Sequence, residues 1–437
     1  MSYSLPPAPL PLQVNAKDGS DRPNFVIFMP GQLLYDSLGC LSRPDSPIKT
    51  QNIDAFASRG TRFTNCFIQA SVYSRSRCIM FTGTCPHVSG HRSLDNLIKP
   101  WEPNLFRSLK GNDYHVACLA PRGNTFAPTV TELSVTKYRF LETPELIPKF
   151  SNGNSGQDES IWGRLFYNGF RNSHEALDYD DAVVLFMPFL FPHCSFQVEE
   201  PYFSMYERSD IPPITSEPRK KTEYEPRYMK TIREQYGLNR VTPEIWADVK
   251  ATYYGMITRL NNQFGKITKK LEDSSFWNDT VTMFFTNHGE YLGDYGLVKK
   301  WPSGLPDSLS HEPLIIGGAG IPAGKVSSLM CEMVDLVSTM FETTSFHKQF
   351  AFTEGGFLTT EERLLKQAPY PYDIKAGLQH EDTTLVGKAI SIRNEDWIYL
   401  YRLYEPAELY HRLKDSQEMY NLAAKPGHAP IAGILQA

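Results

Sequence analysis

The fold is decided by the stretch TVTMFFTNHGEYLGDYG, residues 280–296, in which an apolar run changes abruptly into polar residues and glycines. An apolar run of this length is typical of a buried strand, and the polar loop marks where the strand ends. The same pattern recurs at residues 24–29, 113–120, 180–188 and 313–317. Residues 243–274 and 327–342 instead have the apolar spacing of helices. Strands that alternate with helices predict an α/β fold, an α/β/α sandwich with a large mixed central sheet.

The chain divides into three segments of different character. The N-terminal arm is rich in proline and has neither the basic start nor the continuous apolar run of a signal peptide, which predicts disorder. Near the C-terminus, residues 385–403 have the alternation of an antiparallel hairpin with a turn at Asn394 and Glu395. We therefore expect a disordered arm over residues 1–21, an α/β domain over residues 22–345, and a C-terminal subdomain with a small antiparallel sheet over residues 346–437.

The composition excludes several classes of partner. The net charge of −5 provides no positive field that would attract nucleic acid or an anionic membrane surface. The apolar runs are too short to span a bilayer. Seven cysteines without a CxxC pair fit reduced thiols better than a disulfide framework. We expect a cytoplasmic protein that binds neither nucleic acid nor membranes, and a homo-oligomer remains open.

Candidate functional residues lie in the loops that follow the predicted strands. In open α/β sheets, ligands bind beyond the carboxyl ends of the strands, because the loops there converge on one edge. Many of the arginine, histidine, lysine and asparagine residues outside helices fall in five such loops. These loops are residues 30–37, 71–91, 120–125, 192–196 and 287–300.

Six sequence landmarks in these loops and in the C-terminal segment occur in a recognisable order. They are Arg22 to Phe28 with Asp36 to Cys40, Ser74 to Arg77 with Thr82-Gly83, Phe191-Pro192-His193, Thr286 to Glu290 with Leu292 to Gly296, Lys300 with Pro313 to Ile316, and Glu408 to Tyr410 with Tyr420 to Leu422. Taken together, they resemble the landmarks of the sulfatase family, in the alkaline phosphatase superfamily. The resemblance covers nearly the whole chain and implies that superfamily's fold.

The departures from the family pattern concern the nucleophile and the metal. In sulfatases, the first residue of Cys-x-Pro-Ser-Arg becomes formylglycine, but that position is Tyr73 here, and Arg75 replaces the proline. The resemblance places Gly31, Gln32 and Asn287 where the family has acidic metal ligands. A hard divalent cation needs several anionic oxygens. We therefore expect a degenerate member with no bound metal, no cofactor and no classical sulfatase activity.

The remaining polar residues predict a pocket for an anion. An arginine side chain suits a carboxylate, sulfate or phosphate because its planar group donates two parallel hydrogen bonds. We expect substrate binding by six residues, Arg75, Arg77, Arg122, Lys300, Gln32 and Asn287. For proton transfer we expect Tyr73, His193 and His288. The expected partner is therefore an anionic small molecule.

Three functions remain open at this point. The first is a metal-independent enzyme that uses the anion pocket for decarboxylation, elimination, isomerisation or cyclisation of a carboxylate- or phenol-bearing small molecule. The second is an inactive pseudo-sulfatase or anion-binding protein, since the folding landmarks persist while the catalytic groups are lost. The third is an atypical sulfuric or phosphoric ester hydrolase. The clustering of replacement cations at the expected site favours the first function.

Overall fold

The structure is a computed structural model, and it does not describe every part of the chain. It describes residues 22–42, 44, 46–119, 125–139, 183–189, 191–214, 225–274, 276–341, 348–357 and 373–436. The arm predicted over residues 1–21 and the candidate residue Arg122 lie outside these ranges. The predicted boundary between residues 345 and 346 also lies outside them, so it stays a prediction.

A mixed sheet forms the centre of the fold, as predicted. Within the described residues, eight strands lie in the order β4-β3-β5-β1-β6-β7-β2-β8, and only β7 runs antiparallel to its neighbours. The strands are β1 Asn24–Met29, β2 Gly60–Phe67, β3 His115–Leu119, β4 Lys137–Arg139, β5 Val183–Pro188, β6 Thr280–Phe285, β7 His311–Gly318 and β8 Lys325–Glu332.

Helices cover both faces of this sheet. The described α-helices of the chain are α1 Gln51–Ser58, α2 Tyr73–Thr82, α3 Pro86–Ser89, α4 Leu105–Gly111, α5 Val130–Ser134, α6 Arg227–Gln235, α7 Pro243–Asp273, α8 Asp307–Ser310, α9 Leu336–Phe341, α10 Asp373–Glu381 and α11 Ala429–Gln436. Helices α2 and α4 pack on one face, whereas α1 and α7 pack on the other. Among the described helices, none combines the length and apolarity that a membrane span requires.

Strand β1 is apolar at every position from Phe25 to Met29 because both of its faces are buried. Phe25, Ile27 and Met29 contribute to the core on the α2 side, and Val26 and Phe28 contribute to the core on the α7 side. Side chains alternate across a strand, so a strand with helices on both faces needs apolar residues at every position. Burial of each large side chain stabilises the fold by roughly 1.5–3 kcal/mol.

A second, antiparallel sheet follows in the C-terminal segment, in the order β12-β11-β10-β9. Its strands are β9 Ala351–Gly355, β10 Ala389–Arg393, β11 Trp397–Arg402 and β12 Glu405–His411. The predicted hairpin is confirmed, since the Asn394 side chain accepts hydrogen bonds from the main-chain nitrogens of Asp396 (3.0 Å) and Trp397 (2.8 Å). The buried Arg393 joins this sheet to the main domain through Asp307 (3.0 Å) and Ser310 (2.6 Å).

One helix prediction was wrong over half of its length. The segment predicted as a helix over residues 327–342 begins as strand β8, which pairs in parallel with β2, and becomes α-helical only at Leu336–Phe341. Without β8, the edge of β2 would present unpaired main-chain donors and acceptors. Pairing with β8 satisfies these donors and acceptors. The spacing of apolar residues along the sequence carries no information about pairing between distant strands.

The parallel strands bring three loops together at one edge of the sheet. The loop after β1 is joined to the loop after β5 by a hydrogen bond from the Gly31 nitrogen to the Phe191 oxygen, at 3.0 Å. It is joined to the loop after β6 by a hydrogen bond from the Gln32 nitrogen to Asn287 Oδ1, at 3.3 Å. Helix α2 begins beside them with Tyr73. This edge therefore carries Gln32, Asn287 and Tyr73 of the predicted site residues.

A buried acid elsewhere in the sheet makes the stability depend on pH. Glu312 in β7 is fully buried, and within the described residues neither of its carboxylate oxygens has a hydrogen-bond partner. Burial raises the pKa of Glu312 well above its ordinary value of 4.5. The folded protein therefore keeps a proton that the unfolded chain loses.

We expect the free energy of unfolding to fall as the pH rises above the ordinary pKa of Glu312. Between the unfolded and folded pKa values, the folded state holds more protons, so the loss approaches about 1.4 kcal/mol per pH unit. Glu312→Gln should lack this component. Urea unfolding of both proteins at several pH values measures it as a difference in slope. Equal slopes in the two proteins would contradict this account of Glu312.

Candidate active site

Gln32 links the loops of the site through its side chain. Its Nε2 donates to Glu290, and its Oε1 accepts from Lys300 Nζ. The Gln32 carbonyl accepts a hydrogen bond of 2.9 Å from the Tyr253 hydroxyl. The backbone of Gln32 has a φ of 65°. This left-handed conformation costs a residue other than glycine about 1–3 kcal/mol. These contacts hold the residue in that conformation and fix its amide between an acid and a lysine.

Glu290 is a residue of the site whose role the sequence analysis missed. Its carboxylate accepts hydrogen bonds from Gln32 and from the main-chain nitrogens of Leu292 (3.1 Å) and Lys299. Burial raises the pKa of Glu290, although these hydrogen bonds and the nearby Lys300 act against the increase. The available signal was its position as the acid of the Thr286 to Glu290 landmark. Glu290 shapes the loop and provides a negative charge beside Lys300.

Lys300 is buried and is held by a histidine as well as by Gln32. Its Nζ lies 2.9 Å from His193 Nε2. His193 Nδ1 is hydrogen-bonded to the carbonyl oxygen of Cys194, so Nδ1 carries the proton and Nε2 accepts from the lysine. The lone pair of His193 is therefore engaged by Lys300. This geometry suits a residue that positions Lys300 better than one that takes a proton from a substrate.

His288 has the geometry of a base. Its Nδ1 lies 2.8 Å from the Gly289 carbonyl oxygen, which places the proton on Nδ1 and leaves a lone pair on Nε2. The residue is fully buried, and within the described part of the chain no donor reaches Nε2. Burial lowers the pKa of His288 well below its ordinary value, and the charges of Lys300 and Arg77 lower it further. The imidazole is therefore neutral.

The neighbouring Asn287 presents the complementary group. Its Oδ1 accepts from the Gln32 main-chain nitrogen, and its Nδ2 is buried with no acceptor among the described residues. A buried polar group without a partner costs about 1–3 kcal/mol. Two adjacent residues thus carry such groups, a donor on Asn287 and an acceptor on His288, and a hydroxyl group has the donor and the acceptor that they require.

Tyr73 lies between Lys300 and His288. Its ring centre is 6.5 Å from the His288 ring centre and 5.0 Å from Lys300 Nζ. Tyr73 is the first residue of α2, and Val72 before it gives no side-chain cap to the helix. The first main-chain N–H groups of a helix carry partial positive charge and suit an anion. The structure therefore places Tyr73, Lys300 and His288 together.

The predicted arginines are placed differently from one another. Arg75 is buried, and its Nη2 donates a hydrogen bond of 3.2 Å to the Glu354 carbonyl oxygen. Its guanidinium lies 5.6 Å from the Phe357 ring centre. These contacts direct Arg75 toward the small sheet. Arg77 is also buried, and its charge acts on His288. Arg122 lies outside the described residues.

The amino-acid sequence over residues 23–346, more than half of the chain, matches a family model described as Sulfatase. The chain therefore belongs to the sulfatase family. The multifunctional alkaline phosphatase superfamily protein PehA of Trinickia caryophylli is 23% identical to it, over 94% of this chain and 93% of that protein. An arylsulfatase of Clostridium perfringens is 24% identical, over 74% of each chain.

Solved structures agree with this assignment at the level of the fold. The phosphonate monoester hydrolase of Agrobacterium radiobacter aligns with a TM-score of 0.72 and 20% identity, over 95% of this chain and 94% of that chain. A likeness at this identity concerns the fold alone. It supports the α/β/α sandwich with a separate small antiparallel sheet that the sequence predicted.

We expect Gln32→Ala to lower the free energy of unfolding by roughly 2–4 kcal/mol, because Glu290 and Lys300 would each lose a buried hydrogen-bond partner. Urea unfolding measures this loss. Gln51→Ala, at an exposed position at the start of α1, is the control and should change stability by less than about 0.5 kcal/mol. A loss at Gln32 no larger than the control loss would argue against the linking role.

Proposed function

We propose that this sulfatase-family chain is a hydrolase of small anionic esters that activates water directly, without formylglycine and without a divalent cation. The observation that carries the proposal is the pair of buried groups without a partner in the described residues, Asn287 Nδ2 and His288 Nε2. In this proposal, one water molecule accepts a hydrogen bond from the first and donates one to the second.

The donor set at this site does not fit the divalent cation that the family implies. Gln32 and Asn287 offer neutral amide oxygens, whereas calcium and magnesium require several anionic ones. The Gln32 oxygen already accepts a hydrogen bond from the Lys300 ammonium, and the Glu290 carboxylate is engaged by Gln32 and main-chain nitrogens. In this proposal, Lys300 supplies the positive charge of the site in place of a metal.

The proposed reaction uses three groups of the chain. Lys300 and the N-terminus of α2 bind the anionic group of the ester. His288 Nε2 accepts a proton as the water oxygen attacks the central sulfur or phosphorus atom and the bond to the leaving oxygen breaks. Tyr73 donates its proton to that oxygen, and the transfer of a proton from His288 back to Tyr73 restores the starting state.

The comparisons favour hydrolysis over the reactions that the sequence analysis placed first. Proteins similar to this chain are named an arylsulfatase and a phosphonate monoester hydrolase, and both names describe hydrolases. Decarboxylation, elimination, isomerisation and cyclisation would use the same acid and base, but no described residue selects for them. The atypical ester hydrolase, ranked lower from the sequence, therefore becomes the first proposal.

An anion-binding protein without catalysis is the second candidate. It is supported by the internal hydrogen bonds of Lys300 with Gln32 and His193, which stabilise the site without a substrate. It is also supported by a tyrosine at position 73, where the family has its nucleophile. The two candidates share the anion and differ in whether His288 removes a proton.

We expect His288→Gln to reduce hydrolysis of 4-nitrophenyl phosphate, 4-nitrophenyl sulfate or a phosphonate monoester by about 10²–10⁴-fold, whichever is turned over, because a general base contributes on this scale. The pKa of His288 is depressed, so wild-type activity should not fall as the pH decreases through the ordinary histidine value of 6.5. Steady-state rates across pH test both expectations.

The control for this experiment is His87→Gln, because the His87 side chain is 63% exposed. It should leave the rate unchanged. Unchanged turnover in His288→Gln would refute the proposed base. Absence of turnover in the wild type, with tight binding of phosphate or sulfate, would favour the anion-binding candidate.

We also expect purified protein to contain no stoichiometric calcium or magnesium, because the Lys300 ammonium already donates a hydrogen bond to Gln32 Oε1, an oxygen that a metal would need as a ligand. For the same reason, we expect a chelator to leave the activity unchanged. Elemental analysis and activity measured with and without chelator test this expectation. One divalent ion per chain that disappears in Asn287→Ala would overturn the metal-independent mechanism.

A further inference from the structure

A lysine from the C-terminal segment lies against the loop that carries Lys300. Lys375 lies in α10, and its Nζ donates a hydrogen bond to the main-chain oxygen of Lys300 and lies 5.5 Å from the Trp301 ring centre. No sequence pattern marks Lys375, because the residue is isolated from every family landmark. The fold places it beside the lysine that our proposed function assigns to anion binding.

The charged and titratable groups that act on the pKa of Lys375 come from two loops of the main domain. From the loop after β6 come Lys300, Lys299 and Glu290, and from the loop after β5 comes Cys194. Cys194 lies against the core of the site, since its Sγ is 3.8 Å from Gln32 Nε2 and 3.8 Å from His193 Nδ1. Lys375 therefore faces the same cluster that holds the Lys300 ammonium.

Positive charge is in excess in this cluster. Three lysines face one carboxylate, and Glu290 is already engaged by Gln32 and by the main-chain nitrogens of Leu292 and Lys299. The hydrogen bond that Lys375 makes is to a neutral carbonyl group and uses one of the three donors of an ammonium. Like charges this close repel one another until an anion lies between them.

We propose that Lys375 is a second anion-binding lysine, which makes the site prefer a doubly charged oxyanion over a singly charged one of the same shape. The inference rests on the anion site of the proposed function, but it does not require hydrolysis. It adds a specificity-determining residue that comes from the C-terminal segment.

A proton should follow the anion into the site. Burial lowers the pKa of Lys375 well below its ordinary value, and the charges of Lys300 and Lys299 lower it further. Without an anion, the charged form of Lys375 is therefore disfavoured. A dianion offsets the repulsion, so its binding raises the affinity of Lys375 for a proton, by thermodynamic linkage. A purely structural Lys375, which only holds α10 against Trp301, would show no such coupling.

The test uses two probes that no esterase can cleave, phenylphosphonate and benzenesulfonate. They have similar shapes, but near pH 8.5 the first is mainly a dianion and the second a monoanion. Titration calorimetry of the full chain in buffers of different ionisation enthalpy gives both the affinity and the number of protons taken up. We expect phenylphosphonate to bind at least tenfold more tightly than benzenesulfonate, with uptake of up to about one proton.

Two variants separate charge from structure. Lys375→Met should remove the proton uptake and reduce the preference for phenylphosphonate about tenfold. Lys375→Arg keeps a permanent charge, so it should keep the preference and lose the uptake. The control, Lys230→Met, changes a lysine whose side chain is 69% exposed and should match the wild type.

The possible outcomes distinguish the role of Lys375 from the proposed hydrolysis. Uptake and preference that persist unchanged in Lys375→Met, or no preference in the wild type, would overturn the role of Lys375. Binding with the expected uptake but without hydrolysis of any ester would leave this inference intact and remove the proposed catalysis. No binding of either probe to the wild type would overturn both.

Discussion

One chain of buried hydrogen bonds, from the Glu290 carboxylate through the Gln32 amide to the Lys300 ammonium, supports the whole site. It joins the loops after β1 and β6, and His193 extends it to the loop after β5. A buried charge is stable only when it is paired and hydrogen-bonded. The amide of Gln32 meets that condition for both ions at once, because its nitrogen donates to the acid and its oxygen accepts from the lysine.

The same chain determines the chemistry of its neighbours. The buried positive charge of Lys300 contributes to keeping His288 neutral, and a neutral imidazole with a fixed proton on Nδ1 presents a lone pair. The main-chain nitrogen of Gln32 donates to the oxygen of Asn287, and the amide nitrogen of Asn287 has no acceptor among the described residues. The polar groups left over at the site are thus a consequence of how Lys300 and Gln32 are held.

The central sheet stabilises the fold enough to offset the buried polar groups of the site. Its central strands are buried on both faces, between α2 and α4 on one side and α1 and α7 on the other. Apolar burial of that extent offsets the cost of a few buried ions and unpaired groups at one edge. The loops can therefore hold Tyr73, Gln32 and Asn287 at this edge while the fold remains that of the sulfatase family.

The sequence by itself determined the fold class, because doubly buried strands, the long helix and the Asn394 turn each leave a local pattern. It also indicated that Tyr73, His288 and Lys300 belong to one site, since their loops follow strands that end at one edge. The sequence did not reveal strand β8, because this strand forms by pairing with the distant strand β2. The linking role of Glu290 and the presence of Lys375 depended on contacts between loops far apart in the chain. The proposal of His288 rather than His193 as the base depends on which lone pair is engaged, and only the tertiary structure decides such contacts.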